Sequence, residues 1–335
     1  MRVVFLGVSH WHAPLYYRPA ARLAGVRIVG VSDPDASVAE RVGRELGAPS
    51  FVDDHALLDR TRPEFAFAFG RHCDMAGIAT ALIDARVPCL IEKPAGLNAA
   101  QVAGLRDHAR RRGVLVGTGF NFRVSDWYTR LRTLTADDPA SLASFRFISG
   151  PPQRYHELGC SWMLDPALAG GGSTINLAGH LIDLFRSFTA GEPTVVHALL
   201  SRATWGLPIE DHSVVALRSE RAAGTVETGY AFPGELGRFD LHFSLRTARH
   251  YLVVRADDVV EITDAASGQR EVLRTPTSNL PWYPAFVAES LQRAQRGLPP
   301  LADLDDLLAA MRVIDAAYAA AHDGGPTLHV AAQPG

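Results

Sequence analysis

Short apolar runs alternate with longer amphipathic stretches through the first 120 residues of the chain. The runs have the length of buried strands, and the stretches repeat apolar side chains with the spacing of a helix. The predicted strands are 2–9, 26–33, 63–69, 87–91 and 114–120, and the predicted helices are 11–24, 37–47, 75–86 and 99–113. Because parallel strands need a helical crossover between them, this order predicts a doubly wound parallel sheet.

The pattern changes after about residue 144. Apolar and polar positions now alternate in short segments separated by turns, which is typical of an antiparallel sheet with one solvated or partner-covered face. The segments are 144–149, 194–201, 212–219, 224–232, 238–247, 250–256 and 259–263, and predicted helices follow at 283–297 and 303–325. We therefore expect an α/β protein of two closely packed domains, a doubly wound domain at 1–120 and an α+β domain with a mainly antiparallel sheet at 121–335.

Composition narrows the class of partner. The 335 residues carry a formal net charge of −3 without basic tracts, which gives no footprint for nucleic acid. No apolar run is long enough to span a membrane, and the apolar start is too short for a signal-peptide core. Three cysteines without a CxxC spacing indicate neither a disulfide framework nor a zinc site, so we expect no metal and a reducing cytoplasm. The expected partner is a small molecule.

Lys93 is the only lysine, and the other 32 of the 33 basic residues are arginines. A coding bias explains surface arginines, but Lys93 follows a predicted strand, between Glu92 and Pro94. Ligands of open α/β sheets bind beyond the carboxyl ends of the strands, and lysine can lose a proton where arginine cannot. Lys93 is therefore a candidate for chemistry, and the alternative is that one lysine survived by chance.

The turn after the first strand, GVSHWH at 7–12, stands where a dinucleotide-binding fingerprint would read G-x-G-x-x-G. Gly7 fits, whereas Ser9 and His12 replace the second and third glycines. We expect Ser9 to donate to a phosphate and His12 to push the next helix outward or to point away. His10 and Trp11 belong to the same candidate cofactor turn, and a turn that binds nothing is the alternative.

Asp33 ends the second predicted strand, at the distance from the first turn where an acidic residue accepts from a ribose 2′-hydroxyl. Its charge would repel a 2′-phosphate, so NAD is favoured over NADP. A turn-forming role before Pro34 explains Asp33 equally well.

A third candidate site lies in AGGGSTINLAGHLIDLFRSF at 169–188. On a helix that starts near Ser173, four polar residues form one stripe, namely Asn176, His180, Asp183 and Ser187. The three glycines before the helix indicate a close approach to a ligand or to another strand. A solvated face is the alternative, but such faces usually carry Glu, Lys and Arg.

These three places together resemble the Gfo/Idh/MocA family of NAD(P)-dependent oxidoreductases, over nearly the whole chain. The resemblance implies a Rossmann-type domain, a second domain with a large open sheet that often serves oligomerisation, and hydride transfer on a sugar, polyol or cyclitol. It places the catalytic lysine at Lys93 and the family's D-x-x-x-H pair at Asn176 and His180. It also implies a homodimer or homotetramer.

The chain departs from the family pattern at two further positions. Asn176 stands where aspartate is common, so it can orient a hydroxyl but cannot take a proton. GRHCDM at 70–75 stands where the family often has T-P-N-x-x-H along the cofactor. Gly70 and His72 are the cofactor-lining candidates of this segment, together with Glu92, Lys93 and Pro94.

Two hypotheses of different classes follow. In the first, an NAD-dependent dehydrogenase uses His180 as general acid/base, Lys93 to stabilise the reacting oxygen, and Asn176 to orient the substrate. In the second, the protein holds the dinucleotide without net redox turnover. Additional candidate substrate contacts are Arg123, Tyr155, His156 and Trp162, and the last three are equally plausible as packing residues.

Overall fold

The computed structural model describes residues 1–234 and 238–322. In the first domain, six parallel strands lie in the order β3-β2-β1-β4-β5-β6. The strands are β1 (Arg2–Leu6), β2 (Arg27–Ser32), β3 (Ser50–Phe51), β4 (Phe65–Ala68), β5 (Cys89–Ile91) and β6 (Val116–Thr118). The helices are α1 (Ala13–Ala20), α2 (Ala36–Leu46), α3 (Asp54–Thr61), α4 (Met75–Asp84) and α5 (Ala99–Arg112). The doubly wound parallel sheet predicted from the sequence is confirmed.

One β-α unit, β3 and α3, was not foreseen between α2 and β4. The strand β3 has only two residues, too few to show a period, and its side chains are not buried. The helix α3 is short, and Asp53 caps it by accepting a hydrogen bond from the Ala56 N–H. The unit extends the sheet beyond β2 without adding to its centre.

The second domain contains eight strands in the order β14-β13-β12-β11-β7-β10-β9-β8. The strands are β7 (Leu142–Ser149), β8 (Thr194–Ser201), β9 (His212–Arg218), β10 (Ala223–Gly229), β11 (Phe239–Arg246), β12 (His250–Arg255), β13 (Val259–Asp264) and β14 (Arg270–Arg274). The pair β7 and β10 is parallel and the other pairs are antiparallel. The mainly antiparallel sheet is therefore confirmed, and β14 extends it beyond the predicted segments.

The helices of the second domain are numbered in chain order. They are α6 (Asp126–Thr135), α7 (Arg154–Glu157), α8 (Pro166–Ala169), α9 (Gly179–Phe188), α10 (Tyr283–Gln295) and α11 (Leu304–His322). A π-helical turn, Thr174–Ala178, runs directly into α9. Of the helix predicted at 303–325, residues 323–325 lie outside the described residues.

Alternation along the strands separates a buried sheet face from an open one. Phe145 of β7 pairs with Val226 of β10 and Phe243 of β11, and all three are buried on the face that α9 covers. The next residue of β7, Arg146, is on the opposite face and forms ion pairs with Glu227 and Asp240. This period of two is the one predicted from the sequence.

The two closing helices join the domains. The helix α10 packs on α1, and α11 packs on α5 of the first domain and on α9 and β8 of the second. One apolar core accordingly runs from the first sheet to the second. The boundary at residue 120 stays a prediction, and β6 ends at Thr118, just before it.

Gly7 is required by packing as well as by its backbone conformation. Its φ is 70°, and a Cβ at this position would lie 2.0 Å from the Phe69 carbonyl oxygen. Gly25 has a similar φ of 77°, but a Cβ there would have no neighbour within 4 Å. Substitutions at the two positions therefore distinguish the cost of backbone strain, which both share, from the cost of a steric collision, which only Gly7 has.

We predict that Gly25→Ala costs about 1 kcal/mol of unfolding free energy, the usual cost of a left-handed alanine. Gly7→Ala should cost at least about 2 kcal/mol more, because the strand end at Phe69 must move. Urea denaturation of both variants measures the difference. Equal losses would contradict the collision at Phe69.

Candidate functional site

Two cavities lie side by side at the carboxyl ends of the parallel strands. The outer cleft has a volume of about 550 Å³. It is lined by Gly7, Ser9, His10, Asp33, Pro34, Asp35, Asp54, Phe69, Gly70, Arg71, Asp74, Ile78, Gly159 and Trp162. The inner cavity has a volume of about 250 Å³. It is lined by Trp11, His12, Leu15, Lys93, Phe147, Ser149, Arg154, Leu158, Asn176, Leu177, His180, Phe239, Asn279 and Leu280.

The outer cleft collects five of the predicted cofactor residues, Gly7, Ser9, His10, Asp33 and Gly70. Asp33 is buried, and its carboxylate accepts the Ser9 N–H at 2.6 Å and the Asp35 N–H at 3.0 Å. The turn-forming interpretation of Asp33 therefore has a geometric basis. A carboxylate has further lone pairs, so these bonds leave capacity for a ribose hydroxyl.

Aromatic and imidazole rings separate the cleft from the inner cavity. The His10 ring lies 5.9 Å from both the Phe69 and the Trp162 ring, measured between centroids. His72 is buried beside them, its Nδ1 is 2.7 Å from the Ala169 carbonyl oxygen, and its ring meets the Trp162 ring edge-on. His72, predicted to line the cofactor, is not among the lining residues of either cavity and packs against Trp162. Trp162 lines the outer cleft instead of the predicted substrate side.

Lys93 lies at the inner cavity, 4 % exposed. The Glu92 N–H donates to the Ala68 carbonyl at 2.9 Å, which continues the β4–β5 pairing and aims the following side chain beyond the sheet edge. The Lys93 Nζ donates to the Asn176 backbone carbonyl at 2.8 Å and to Asn176 Oδ1 at 2.9 Å. Burial lowers the pKa of Lys93, and the nearby Glu92 carboxylate opposes that shift. The structure therefore brings Lys93 and Asn176 together as the sequence predicted.

Glu92 lies beneath Lys93, and its carboxylate is shared among three side chains. His12 Nδ1 donates to Glu92 Oε1 at 3.0 Å, the Tyr16 hydroxyl donates to Oε2 at 2.9 Å, and Lys93 Nζ is 4.0 Å from Oε1. Burial alone would raise the pKa of Glu92, but His12 and Lys93 hold it well below its ordinary value. A buried ionised carboxylate thus anchors the site.

His12 points into the inner cavity and away from the outer cleft. His12 was predicted to contact the cofactor, but it lines the inner cavity instead. The helix α1 begins immediately after it, at Ala13. Burial lowers the pKa of His12, although Glu92 opposes the shift. Because the ionised carboxylate can only accept, Nδ1 carries the proton of the neutral ring and Nε2 is an acceptor. Trp11 also lines the inner cavity.

Asn176 occupies the π-helical turn that precedes α9. Its Nδ2 donates to the hydroxyls of Tyr155 and Tyr230, at 2.8 Å and 3.0 Å, so the orientation of the amide is fixed. Its Oδ1 is therefore left to face Lys93. The predicted helix start near Ser173 becomes a π turn, in which an i→i+5 pattern shifts the register of the side chains.

His180 lies in the same cavity wall, 3 % exposed and packed edge-on against the rings of Phe120 and Phe122. Its Nδ1 is buried, and within residues 1–234 and 238–322 it has no hydrogen-bond partner. Burial, followed by the Lys93 charge, lowers the pKa of His180 to about 3. The expectation of a general acid/base rested on an ordinary imidazole pKa, which this environment does not supply.

The lower half of the predicted polar stripe does not face the cavity. Asp183 pairs with Arg123, whose Nε is 3.0 Å from Asp183 Oδ2 and whose Nη1 is 2.9 Å from Asp306. Ser187 is 3.0 Å from the Tyr128 hydroxyl. Arg123, predicted as a substrate contact, therefore joins three segments of the second domain away from the cavity lining.

Two other predicted substrate residues separate. His156 is exposed, and its Nδ1 is 2.8 Å from the Ser161 hydroxyl, away from the cavity lining. Tyr155 is fully buried and contacts the site through its hydroxyl, which receives the Asn176 amide.

Sequence reasoning missed several residues of the site. Arg154 lines the inner cavity, Tyr230 orients Asn176, and Tyr16 holds Glu92. Arg154 adjoins Tyr155, in a segment predicted to contain substrate contacts. A basic residue in a loop, however, carries no signal that distinguishes it from other arginines. Tyr230 and Tyr16 could not be separated from core aromatics.

The glycine run before the π turn packs against protein. A Cβ at Gly171 would lie 2.0 Å from the Tyr318 hydroxyl, and one at Gly172 would lie 1.9 Å from the Glu210 carbonyl oxygen. The close approach predicted from the sequence is therefore to other segments of the chain.

Neither a metal cluster nor a membrane span occurs in the described part of the chain. No three His, Cys, Asp or Glu side chains there are grouped to hold a metal ion. No helix among the same residues is both long and apolar enough to cross a bilayer.

Models of one protein family match both domains. Residues 1–120 match the model described as an oxidoreductase family with an NAD-binding Rossmann fold, and residues 142–249 match the Gfo/Idh/MocA C-terminal domain. The chain belongs to the Gfo/Idh/MocA family of oxidoreductases, which confirms the resemblance seen in the sequence.

Named relatives agree with this class. The chain is 24 % identical over 327 residues to D-xylose 1-dehydrogenase (NADP(+)) 2 of Haloferax volcanii, covering 91 % of this chain and 93 % of that protein. It is 25 % identical over 218 residues to the levoglucosan dehydrogenase of Pseudarthrobacter phenanthrenivorans, covering 60 % of this chain and 52 % of that one. An inositol dehydrogenase homologue from Azotobacter vinelandii, complexed with NAD+, has the same fold with a TM-score of 0.84 at 16 % identity, covering 97 % of this chain and 96 % of that one.

We predict that His180 makes stability depend on pH. Its pKa rises from about 3 in the folded state to 6.5 when unfolded, so between these values the unfolded chain binds more protons and stability falls as pH falls. The His180 contribution should be about 2 kcal/mol lower at pH 5 than at pH 7.5.

His180→Phe keeps the aromatic packing and removes the titrating ring. Urea denaturation at the two pH values should show a shallower pH dependence for this variant, whereas His55→Phe at an exposed position should match the wild type. A His180→Phe profile parallel to the wild type would contradict the buried neutral ring.

Proposed function

We propose that the protein is an NAD-dependent dehydrogenase that acts on a hydroxyl or ketone of a sugar, polyol or cyclitol. The observation that carries the proposal is the buried Lys93 ammonium, held by Asn176 at the wall of the inner cavity. That cavity adjoins a cleft with the residues expected of a dinucleotide site. The printed activities of the xylose and levoglucosan dehydrogenases support the carbohydrate class.

The outer cleft fits a nicotinamide dinucleotide. Gly7 brings the backbone close to the Phe69 carbonyl, so the chain turns tightly at the end of β1, and Ser9 and Asp33 lie beside it. Gly7 and Ser9 would hold the pyrophosphate and Asp33 the adenosine ribose. When bound, the dinucleotide supplies the acceptor or donor for a hydride.

The charge of the outer cleft favours NAD. Four carboxylates line it, those of Asp33, Asp35, Asp54 and Asp74, against the single cation of Arg71, which is paired with Asp74. A 2′-phosphate would add negative charge to a cleft that already has an excess of it. The NADP dependence printed for the xylose dehydrogenase makes this preference a property to be measured.

Lys93 is proposed to hold the reacting oxygen and to exchange its proton. Because burial lowers its pKa, the neutral amine is more accessible than in a solvated lysine. During oxidation the hydroxyl proton would pass to Nζ, and the carbon that bears the hydroxyl would give its hydride to the bound dinucleotide. The resulting ammonium would then face the carbonyl oxygen. Asn176, as a neutral amide, orients Nζ without raising the lysine pKa as a carboxylate would.

His180 is proposed to orient the substrate as a neutral ring. With a pKa of about 3 it binds a proton too weakly to store one near neutral pH, so its contribution is a hydrogen bond to a substrate hydroxyl. His12, whose Nδ1 is bound to Glu92, offers a second acceptor on the facing wall. Binding without net turnover stays the alternative, and assays of nicotinamide absorbance with a sugar and polyol panel separate the two.

Two further properties belong to the proposal. The open face of the second sheet supports a homodimer or homotetramer, which light scattering can measure. A cytoplasmic location agrees with the three cysteines, Cys73, Cys89 and Cys160, all being free.

We predict that Asp33→Asn narrows the preference for NAD. The amide oxygen can still accept from one of the two N–H groups, which bind different oxygens of the carboxylate, and the charge that repels a 2′-phosphate is gone. The ratio of NADP to NAD dissociation constants should fall roughly tenfold, measured by titration calorimetry. Asp59→Asn, which removes the same charge at an exposed position, should leave the ratio unchanged. Equal affinities of the wild type for both dinucleotides would reject the preference.

We predict that Lys93→Arg is nearly as damaging as Lys93→Ala. Guanidinium is bulkier and planar and does not deprotonate, so it would misplace the hydrogen bond and could not take the proton. Turnover should fall about a hundredfold to a thousandfold in both variants. NAD affinity should change little, because the outer cleft lies elsewhere. A Lys93→Arg enzyme with wild-type turnover would remove Lys93 from the mechanism.

A further inference from the structure

Arg154 places a guanidinium in the wall of the inner cavity. It begins the short helix α7, immediately after β7 and a connecting turn. Its Nη2 donates to the Ser149 hydroxyl at 2.8 Å and to the Tyr155 hydroxyl at 2.9 Å. Its Cζ lies 4.8 Å from the centre of the Tyr155 ring and 5.4 Å from that of Tyr230. The same tyrosines that orient Asn176 therefore hold Arg154 in place.

Within residues 1–234 and 238–322, no carboxylate pairs with this guanidinium. Among the described residues, none of the ion pairs within 4.0 Å includes Arg154, and its Nε is buried without a hydrogen bond. Arg123 is a matched contrast, since its guanidinium pairs with both Asp183 and Asp306. Arg154 is partly buried, and partial removal of a cation from water without a counter-charge still costs free energy. An anionic ligand would offset that cost.

The charges of the inner cavity agree with this. Among the described residues that line it, Lys93 and Arg154 are the cations and none is an Asp or Glu. Burial lowers the pKa of His12 and of His180, so both rings are neutral. Glu92 lies below the wall, where His12 and Tyr16 occupy its oxygens. The outer cleft has the opposite sign, with four carboxylates. Among the described lining residues, the excess of positive charge is therefore found at the inner cavity.

We infer that the substrate of the inner cavity carries a carboxylate, which Arg154 binds, while the reacting hydroxyl lies at Lys93. This inference rests on the proposed function and narrows its substrate class to sugar acids, such as aldonates and uronates. A planar guanidinium matches the planar carboxylate, and Nη1 forms no hydrogen bond with any described residue. Oxidation converts the hydroxyl carbon of the acid into a ketone or lactone carbonyl, with the hydride going to NAD and the proton to Lys93.

Pairs of substrates in which a carboxylate replaces one CH2OH group test the inference. The pairs are glucose with glucuronate, galactose with galacturonate, and sorbitol with gluconate, assayed with the full chain and NAD at low and high salt. The acid of at least one pair should have a kcat/KM at least tenfold above its neutral partner, and salt should reduce that advantage. Glucose 6-phosphate is included, and a preference for it over every sugar acid would overturn the carboxylate assignment.

Arg154→Gln keeps a polar side chain and removes the charge. It should raise the KM for the acid about tenfold to a hundredfold, the value of a charged hydrogen bond, and raise the KM for the neutral partner much less. Arg154→Lys should recover part of the loss. Arg22→Gln, which removes an exposed arginine, is the control for net charge. Melting temperatures establish that each variant is folded.

Binding separates the failure of this inference from the failure of the proposed function. Calorimetric titration of the NAD-loaded protein with glucuronate, galacturonate and gluconate should show binding that Arg154→Gln weakens. Binding of this kind with no change in nicotinamide absorbance supports the anion site and rejects the dehydrogenase. Turnover in which Arg154→Gln changes the KM of the acid no more than that of its neutral partner supports the dehydrogenase and overturns the anion site. Absence of both binding and turnover for every acid also overturns it.

Discussion

The buried charge group of Glu92 and Lys93 is the constraint on which the site depends. A carboxylate removed from water must be hydrogen-bonded or neutralised, and here His12, Tyr16 and Lys93 do so together. His12 and Tyr16 come from the start of α1, whereas Glu92 and Lys93 follow β5, so satisfying one charge fixes the relation of β5 to α1. The ammonium in turn is directed at Asn176 of the second domain. One electrostatic requirement thereby positions both walls of the inner cavity.

The sheet edge explains why distant parts of the sequence meet. Parallel strands all end on the same side, so the turn after β1, the end of β2 and the end of β5 converge without any local signal linking them. The closing helices then press the second domain against this edge, α10 on α1 and α11 on α5. Most residues that line the outer cleft belong to the first domain, with Gly159 and Trp162 from the second. The inner cavity is lined by both domains. Binding of dinucleotide and binding of substrate are thus distributed unequally between the domains.

The sequence was sufficient where one element carries its own pattern. The strand before Lys93, the second sheet and the Asn176–His180 spacing were read from local periodicity, and the structure contains them. Arg154 was missed because what distinguishes it is that no carboxylate of a described residue pairs with it. That is a property of its surroundings in the fold and leaves no mark in the local sequence. The role first assigned to His180 depended on a pKa that Phe120 and Phe122 lower, and they come from another segment. The β3–α3 unit escaped because two residues show no period.

The π turn has an evolutionary consequence. An α-helix turns about 100° per residue, so a π turn amounts to one residue inserted into an otherwise regular helix. Loss of one residue between Asn176 and α9 would restore the regular spiral, leave α9 packed on its sheet, and rotate Asn176 away from Lys93. The fold would survive and the pairing at the inner cavity would not. A single deletion in a descendant of this protein would therefore remove the contact between Asn176 and Lys93 while keeping the fold that binds the ligands.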